Sequence, residues 1–427
     1  MKLNVELVLL LLLFFGLSLC EMVNISNKDD LDLERHVSAM NKPSIKTFMT
    51  KEGEIIDCVD INKQLAFDHP LLKNHKVQTE PNLHVTRLRK TSPNAKLVRS
   101  GLREPCPIGT VPIRRVTKED LVSARSLQKI PSVAAMRHCT LSSNQHVVSL
   151  TDNMVENVKY GGGGRLTVYN LTIGAGGVQP SGGMRRGGDG AGGLGLGGSG
   201  DLQSFPIAYD HFSAHNMWIE SGPPDHISMI AAGWMVSPHL FGDTLSRLFT
   251  YWTGDGYRNG CYNVLCPGFV QVSREVTPGF PLQPTSTYGG DQYELAIDIE
   301  QDRSTGNWWL VVLRASIKVG YWPKELFLHL RDGSLHTAWG GIGLAGSDGI
   351  CPPMGSGHMP DGNFKHAAIF RRLHWVRSDG KSLPPSDNTT EWVDRSNVYG
   401  LVNHHYVKKY RSGYTISFGG PGGYCRG

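Results

Sequence analysis

The sequence predicts an all-β protein, an antiparallel β-sandwich preceded by a small N-terminal module. From about residue 146 onward, short alternating runs of apolar and polar residues are separated by Gly, Pro, Asn and Asp, and helical periodicity is almost absent. The composition agrees, because 51 glycines and only 19% charged residues are typical of strands and turns rather than of long surface helices. Many short strands divided by turn signals favour a sandwich.

The stretch YELAIDIE, which begins at Tyr293, is the strongest single strand signal. It places Tyr293, Leu295, Ile297 and Ile299 on one face and three acids on the other, a period of two. We interpret the acidic side as a wetted sheet surface. The polar turn DRSTGN then leads into WWLVVL, the expected antiparallel partner. Further strands are expected in RLTVYNLT, NMWIES, RLFTYWT, GFVQVS, AAIFRRLHWV and YTISF.

Two segments lack this pattern of short alternating apolar and polar runs. Residues 45–135 are basic and interrupted by prolines, and we interpret them as a small module tied by Cys58 and Cys106. Residues 174–200 are more than half glycine. Such a run cannot bury enough surface to offset its backbone entropy, so we expect a flexible surface insertion in the larger domain.

Residues 1–20 have the pattern of a signal peptide. Lys2 provides the positive end, an apolar run follows from Leu7 to Leu19, and Ser18 and Cys20 suit a cleavage site. The alternative is a signal anchor, but the run is short for a bilayer and no later segment is apolar for long enough, so no stable membrane span is expected. The prediction is a secreted protein, located extracellularly or in the cell wall, with the vacuole as the alternative.

In an oxidising compartment the cysteines are expected to form disulfides. Without Cys20, seven of the eight cysteines are left, an odd number that predicts a free thiol or a pair between chains. Cys261 and Cys266, in GCYNVLCPG, are expected to close a local loop. The sequons at Asn24, Asn170 and Asn388 are candidate glycosylation sites.

Several classes of function are disfavoured by the sequence. A dispersed net charge of +5 does not indicate a nucleic-acid partner. The run WGGIGLAG contains Gly341-x-Gly343-x-x-Gly346, the letters of a dinucleotide-binding turn, but turns rather than a helix follow it. Those glycines are better explained by close backbone packing or a bulge in a strand. No cofactor is predicted.

Metal and serine-nucleophile chemistry are also disfavoured. The His211/His215 and His404/His405 pairs lack the HExxH context and the helix that would bring ligands together, so no metal is predicted. Ser356, in MGSGH, has no GxSxG elbow around it and is interpreted as part of a tight turn.

Ordered motifs through nearly the whole chain after the signal resemble the neprosin family, secreted plant proteins with a pro-segment and a β-sandwich peptidase domain. The segment IIDCVDINKQLAFDHPLLKNH is similar to the pro-segment signature, and CPIGTVPIRR is similar to its CPxGT[VI]PIRR element. The later domain matches in AGWMVSPHLFGDTLSRLFTYWT, GCYNVLCPGF, GNWWL, GYWPKELF, AWGG, MGSGH and FGGPGGYC. The resemblance assigns residues 45–135 to an activation-peptide-like pro-segment and residues 146–427 to the sandwich domain.

The resemblance implies a glutamic endopeptidase that acts in acid and cuts beside proline. That chemistry needs one ionised carboxylate to activate a water and one protonated carboxyl to polarise the scissile carbonyl. The family pattern has one glutamate in IExGW and the other in WGGE. Here the first segment ends IAAGW and the second reads WGGI, so Ala231 and Ile342 occupy the two glutamate positions and no catalytic residue is assigned.

Two further departures accompany the missing acids. The family segment QxW appears as Asn216-Met217-Trp218, and a cysteine expected near residues 396–398 is absent. Cys425 is therefore expected to pair with Cys351, and the partner of Cys139 stays open.

Three functional hypotheses follow. The first is a pseudo-peptidase that binds proline-rich or cell-wall polypeptide in a groove walled by aromatic residues, besides contacting its own pro-segment. The candidate groove residues are Asn216, Trp218, Trp234, Tyr251, Trp252 and Trp339. The alternative for the aromatics is sandwich core. The second hypothesis is an active glutamic endopeptidase that uses substitute acids, with Glu220, Asp225, Asp243 and Asp348 as candidates. The third is a drifting paralogue without selected activity.

Overall fold

The structure is a computed structural model that describes residues 31–83, 96–127, 129–133, 144–152, 157–171, 207–312, 317–386, 388–407 and 412–425. The predicted signal peptide, Asn24, Cys139 and the glycine-rich run lie outside these residues. No helix in the described ranges is both long enough and apolar enough to span a membrane.

Two large antiparallel sheets face each other. The first sheet has seven strands, and strands are numbered in chain order. From one edge to the other, this sheet consists of β10 (Cys261–Tyr262), β9 (Arg247–Thr253), β8 (Ser228–Val236), β7 (Phe212–Ser221), β15 (His336–Leu344), β5 (Gln145–Asp152) and β19 (Thr389–Val393).

The second sheet has ten strands. Its main path is β11 (Val270–Gln271), β14 (Ile317–Trp322), β13 (Trp308–Val312), β12 (Tyr293–Gln301), β6 (Gly161–Thr167), β17 (Ala368–Val376), β21 (Gly413–Gly419) and β20 (Gly400–Val407). Beside this path, β18 (Ser382–Leu383) pairs with β17 and β3 (Lys96–Leu97) pairs with β12. A separate ribbon joins β16 (Ile350–Cys351) to β22 (Gly423–Tyr424).

The predicted antiparallel β-sandwich is confirmed. Apolar side chains from both large sheets form one core, in which Leu295, Ile297 and Ile299 pack as their alternation predicts. The turn after β12 leads into β13 as its antiparallel partner. Indole donors also cross between the sheets, since Trp234 Nε1 donates to the Thr167 carbonyl at 3.0 Å.

The glycines of WGGIGLAG lie in and just after β15, and they permit close packing as the sequence predicts. A Cβ atom added to Gly341 would come within 2.9 Å of Met354 Sδ, and one added to Gly343 would collide with the Tyr399 hydroxyl. Because β15 runs through a sheet and no helix follows it, this run is not a dinucleotide-binding turn.

The acidic side of β12 is buried, so its interpretation as a wetted surface is wrong. Glu294 and Glu300 are only 6% and 1% exposed. Arg371 donates two hydrogen bonds to Glu294, and His374 Nε2 lies 3.2 Å from Asp298 Oδ1. Basic partners on β17, on the far side of β6 from β12, compensate the desolvation of these carboxylates, which the alternation within a single strand could not reveal.

The N-terminal module has its own three-stranded sheet of β1 (Ser44–Met49), β2 (Ile55–Asp60) and β4 (Thr110–Arg114). Residues 31–40 are helical, and short 3-10 turns occupy Leu65–Asp68 and Pro70–Leu72. Helix α1 (Lys118–Ser126) begins with a capping box in which Thr117 and Asp120 bond reciprocally, which satisfies its first free N–H groups.

The module contacts the outer faces of both large sheets. Ala66, together with the partly buried Phe67, packs on Trp309 and Tyr321 of the ten-stranded sheet, while residues after α1 pack on the seven-stranded sheet. Two short helices meet at the second contact, because α1 touches α2 (Pro238–Phe241). The module also contributes β3 to the larger sheet, so it is attached by both side chains and backbone.

The prediction that the protein contains disulfide bonds is confirmed. Cys58 pairs with Cys106 inside the N-terminal module, Cys261 with Cys266, and Cys351 with Cys425, with Cα–Cα distances of 5.6, 6.0 and 5.8 Å. The last bond ties the C-terminal ribbon of β16 and β22 across 74 residues.

Candidate functional site

Ala231 and Ile342 lie on the outer face of the seven-stranded sheet, and Asn216 lies between them. On β7, Ala231 is opposite Trp218 and Ile342 is opposite Ala214. Asn216, midway between those two partners, is diagonal to both, at the ~7–8 Å that such neighbours have. The two positions where the family pattern has glutamates therefore flank one amide side chain on one face.

The face around Asn216 is apolar and partly aromatic. Trp218, Tyr251, Ala231 and Ile342 belong to one buried cluster, separate from the core between the sheets. Burial raises the pKa of the Tyr251 hydroxyl, so this group stays neutral.

Three of the predicted groove aromatics point the other way. Trp234, Trp252 and Trp339 pack in the core between the sheets, and Trp339 Nε1 donates to the Gly163 carbonyl at 3.2 Å. Both faces of these strands are apolar, so sequence alternation could not tell groove from core. Of the predicted wall residues, Asn216, Trp218 and Tyr251 are the ones that the structure brings together on the outer face.

Asn216 Oδ1 and Trp218 Nε1 are buried polar atoms on this face without a hydrogen-bond partner among the described residues, and both residues are 0% exposed. An acceptor and a donor two residues apart match the spacing of backbone groups in an extended peptide. Leaving such groups unpaired is costly, so the face is chemically suited to a polypeptide ligand.

One acid, Glu220, lies on the described strands of this face. It sits on β7 two residues beyond Trp218, which makes it diagonal to Ala231, and it is fully buried. The other three candidate acids have different roles. Asp225 lies 3.3 Å from His226, Asp243 pairs with Arg247, and Asp348 accepts from the Ile350 N–H in a loop. Among the four candidate acids, Glu220 is therefore the one whose carboxyl lies on this face.

The histidine pairs do not converge on a common point. His215 is in the core, stacked on Trp234 at 4.2 Å, and its Nε2 accepts the Gly355 N–H, whereas His211 Nδ1 accepts the Ala208 N–H. His404 bonds to Ser417, and His405 lies against Tyr414. Ser356 lies in a turn between two glycines of positive φ and donates to the His366 carbonyl.

Potential metal ligands come close together in one group of the described residues. His146, Cys351 and Cys425 bring their ligand atoms within 4.8 Å of one another. The two sulfurs are joined as a disulfide, however, so they are not available as thiolates. His146 Nδ1 is bonded instead to Asp394 at 2.5 Å.

A segment of the N-terminal module packs on this face. We call residues 129–133, Lys-Ile-Pro-Ser-Val, the strap. Ile130 and Val133, with Leu127 just before the strap, pack into the same cluster as Ala231 and Ile342. Ile130 is 0% and Val133 4% exposed, so each stabilises the contact by roughly 1.5–3 kcal/mol.

Two residues that hold the strap were missed by the sequence reasoning. Gln145 Nε2 donates to the Lys129 carbonyl at 2.8 Å, and the Tyr257 carbonyl accepts from Lys129 Nζ at 2.8 Å. Tyr257 follows Gly256 in a DGYR turn and has a φ of 67°, in the left-handed region. The sequence signal that could have drawn attention to Tyr257 was a bulky residue directly after a turn glycine.

The fold and site define a class of protein: a disulfide-bonded antiparallel β-sandwich whose smaller sheet is covered on its outer face by part of an N-terminal module. Comparison with known families identifies both parts. Residues 209–421 match the family model described as Neprosin, and residues 47–154 match the model described as Neprosin activation peptide. Together the matches span most of the chain. The chain belongs to the neprosin family, and its N-terminal module is the activation-peptide segment.

Proposed function

We propose that this chain is a secreted, non-hydrolysing member of the neprosin family that binds an extended polypeptide, proline-rich or of the cell wall, in the groove over Asn216. The observation that carries the proposal is the hydrocarbon at both flanking positions. Neither Ala231 nor Ile342 can exchange a proton at any pH. Loss of one general acid–base partner typically costs about 10²–10⁴ in rate, and water attack on an amide needs both.

The remaining features of the groove suit binding. Asn216 Oδ1 and Trp218 Nε1 offer an acceptor and a donor to a peptide backbone, beside the apolar wall. The strap supports this role, since a proline-containing stretch of the chain already lies in the groove. A groove that retains its walls and its occupant retains peptide recognition without the groups for hydrolysis.

Glu220 favours one alternative, an active endopeptidase that uses a substitute acid. Its carboxyl is on the correct face and adjoins the position of Ala231. It stands toward the end of the groove away from Ile342, so it would replace the first glutamate only. A drifting paralogue without selected activity is the third hypothesis, and it predicts neither cleavage nor peptide binding.

The test is cleavage of a proline-containing fluorogenic peptide at acid pH by the unmodified chain and by the Ala231→Glu/Ile342→Glu double variant. We expect no turnover by the unmodified chain and a gain of turnover in the double variant. Cleavage by the unmodified protein would overturn the proposal, and its loss in Glu220→Gln would establish the substitute-acid alternative.

Both substituted positions are 0% exposed beneath the module, so the double variant must be checked for folding. Ala338→Glu, on the same face opposite Trp218, is the matched control, because it introduces a carboxylate at a position where the family pattern has none. Peptide binding without turnover by the unmodified groove separates a binding protein from a drifting paralogue.

A further inference from the structure

The strap is recognised by specific contacts as well as by apolar packing. Lys129 contributes nothing to the hydrophobic cluster and its side chain is exposed, yet its ammonium is fixed. Lys129 Nζ lies 2.8 Å from the Tyr257 carbonyl oxygen and 5.7 Å from the centre of the Tyr257 ring. A cation held both by a carbonyl and by an aromatic ring is a recognition arrangement.

Tyr257 contacts the strap at a third point. Its hydroxyl interacts with the backbone N–H of Ser132, three residues after Lys129, and Glu220 is close enough for its charge to act on the same hydroxyl. Tyr257 therefore spans the strap from the basic residue to the position after the proline.

The backbone of Tyr257 is held in a costly conformation. A φ of 67° is unfavourable for an aromatic residue, by about 1–3 kcal/mol, and persists only where surrounding contacts require it. The Tyr257 N–H donates to Thr253 Oγ1 at 2.9 Å, which fixes the turn from the side of the sheet. The strained turn presents the carbonyl, the ring and the hydroxyl toward the strap at once.

The other strap positions have plain roles. Ile130 and Val133 fill the apolar groove, and the buried Pro131 offers no backbone N–H. Gln145 holds the carbonyl of Lys129. The order of groups along the strap is basic, β-branched, proline, small and β-branched.

We infer that the groove selects extended segments with a basic residue two positions before a proline, in the order of the strap, and that Tyr257 determines this specificity. The inference rests on the proposed function, since it names the ligand class of the same groove. The inference adds recognition of a basic residue by Tyr257 to the preference for proline.

The test uses the full-length chain with Ile130→Asp, which places a charge in the apolar groove and releases the strap. Binding of the labelled peptide SLQKIPSVAA is measured by fluorescence polarisation, beside two peptides in which glutamate replaces the lysine or alanine replaces the proline. We expect the lysine peptide to bind at least ~10-fold more tightly than the glutamate peptide, and Tyr257→Ala to reduce that ratio below ~3. Val122→Asp, on an exposed helix position of the same module, is the control that leaves the strap in place.

The outcomes distinguish the two claims. If no peptide binds the released groove, the proposed function fails. If the peptides bind but the lysine and glutamate forms bind equally, or Tyr257→Ala leaves their ratio unchanged, the proposed function stands and this inference is overturned.

A second measurement does not depend on folding of the released variant. Trypsin cuts after Lys129 only when the ammonium leaves Tyr257, so Tyr257→Ala should speed that cleavage by ~10-fold or more. Arg258→Ala, at the exposed neighbouring residue, should leave the rate unchanged. Equal rates in the two variants would contradict the role assigned to Tyr257.

Discussion

His215 shows how a single buried side chain sets a limit on the pH range of this fold. Its ring lies parallel to that of Trp234, with Phe418 5.0 Å away on the core side. Burial lowers the pKa of His215 to about 3 from an ordinary value of 6.5. The imidazole is therefore a neutral acceptor in the folded protein, and protonation requires it to leave the core.

This shift predicts a loss of stability in acid. Between pH 6.5 and about 3 the unfolded chain binds the proton and the folded chain does not, so the free energy of unfolding falls as the pH is lowered through this window. At ~1.4 kcal/mol per pH unit, the contribution of His215 between pH 6.5 and 4 is on the order of 3 kcal/mol. Urea unfolding at pH 7, 5.5 and 4 measures this loss of the free energy of unfolding.

The variant His215→Gln isolates this contribution. Glutamine keeps an acceptor for the Gly355 N–H but does not titrate, so the variant should be less stable at pH 7 and should lose less stability on acidification. His239→Gln, at a half-buried histidine near the surface, is the control. If the free energy of unfolding of His215→Gln falls with decreasing pH as steeply as that of the unmodified chain, other groups cause the pH dependence.

At the scale of elements, Arg247 joins the N-terminal module to the sandwich. It is 1% exposed at the start of β9, donates to Glu54 of the module at 3.0 and 3.1 Å, and pairs with Asp243 on the other side. Its Nη1 also donates to the Gly279 carbonyl at 2.7 Å. A buried guanidinium satisfied from both bodies makes docking of the module part of the stability of the sandwich.

Removing the module's share of this network should loosen the docking. Glu54→Gln leaves Arg247 with the Asp243 carboxylate and the Gly279 carbonyl, and we expect the free energy of unfolding to fall by ~2 kcal/mol and trypsin to release the module faster. Glu104→Gln disrupts a surface pair with Lys46 in the same module and should change stability by less than ~1 kcal/mol. Equal effects of the two changes would argue against a docking role for Arg247.

The elements themselves were largely predictable from the sequence. The segment RLFTYWT coincides with β9, and AAIFRRLHWV and YTISF fall on β17 and β21, because each combines β-branched or aromatic residues with turn signals at its ends. The family pattern also located Ala231 and Ile342, which lie on one face.

Contacts between elements distant in sequence were not predictable. The pairing of Glu294 with Arg371 across two strands, the inward direction of Trp234, and the reach of Tyr257 to the strap all depend on which faces meet. Local periodicity reports that a face is apolar or charged, but it does not say what covers it.

At the scale of the molecule, the N-terminal module lies on the outer faces of both sheets and contributes a strand to one of them. If the chain is non-hydrolysing, as proposed, it should not remove this module by itself. After incubation at acid pH, mass determination of the purified protein should find the module still attached, and the Ala231→Glu/Ile342→Glu variant provides the comparison. Self-cleavage in the unmodified chain would contradict the proposed function.

Because the strap and the groove belong to the same polypeptide, dilution of the protein does not lower the local concentration of the strap at the groove. A short tether keeps such a competitor at a local concentration in the millimolar range. If the groove binds a polypeptide as proposed, the strap raises the apparent dissociation constant of that ligand by a constant factor. One strap competes with one ligand, so the titration curve keeps its hyperbolic shape and only its midpoint moves to higher concentration.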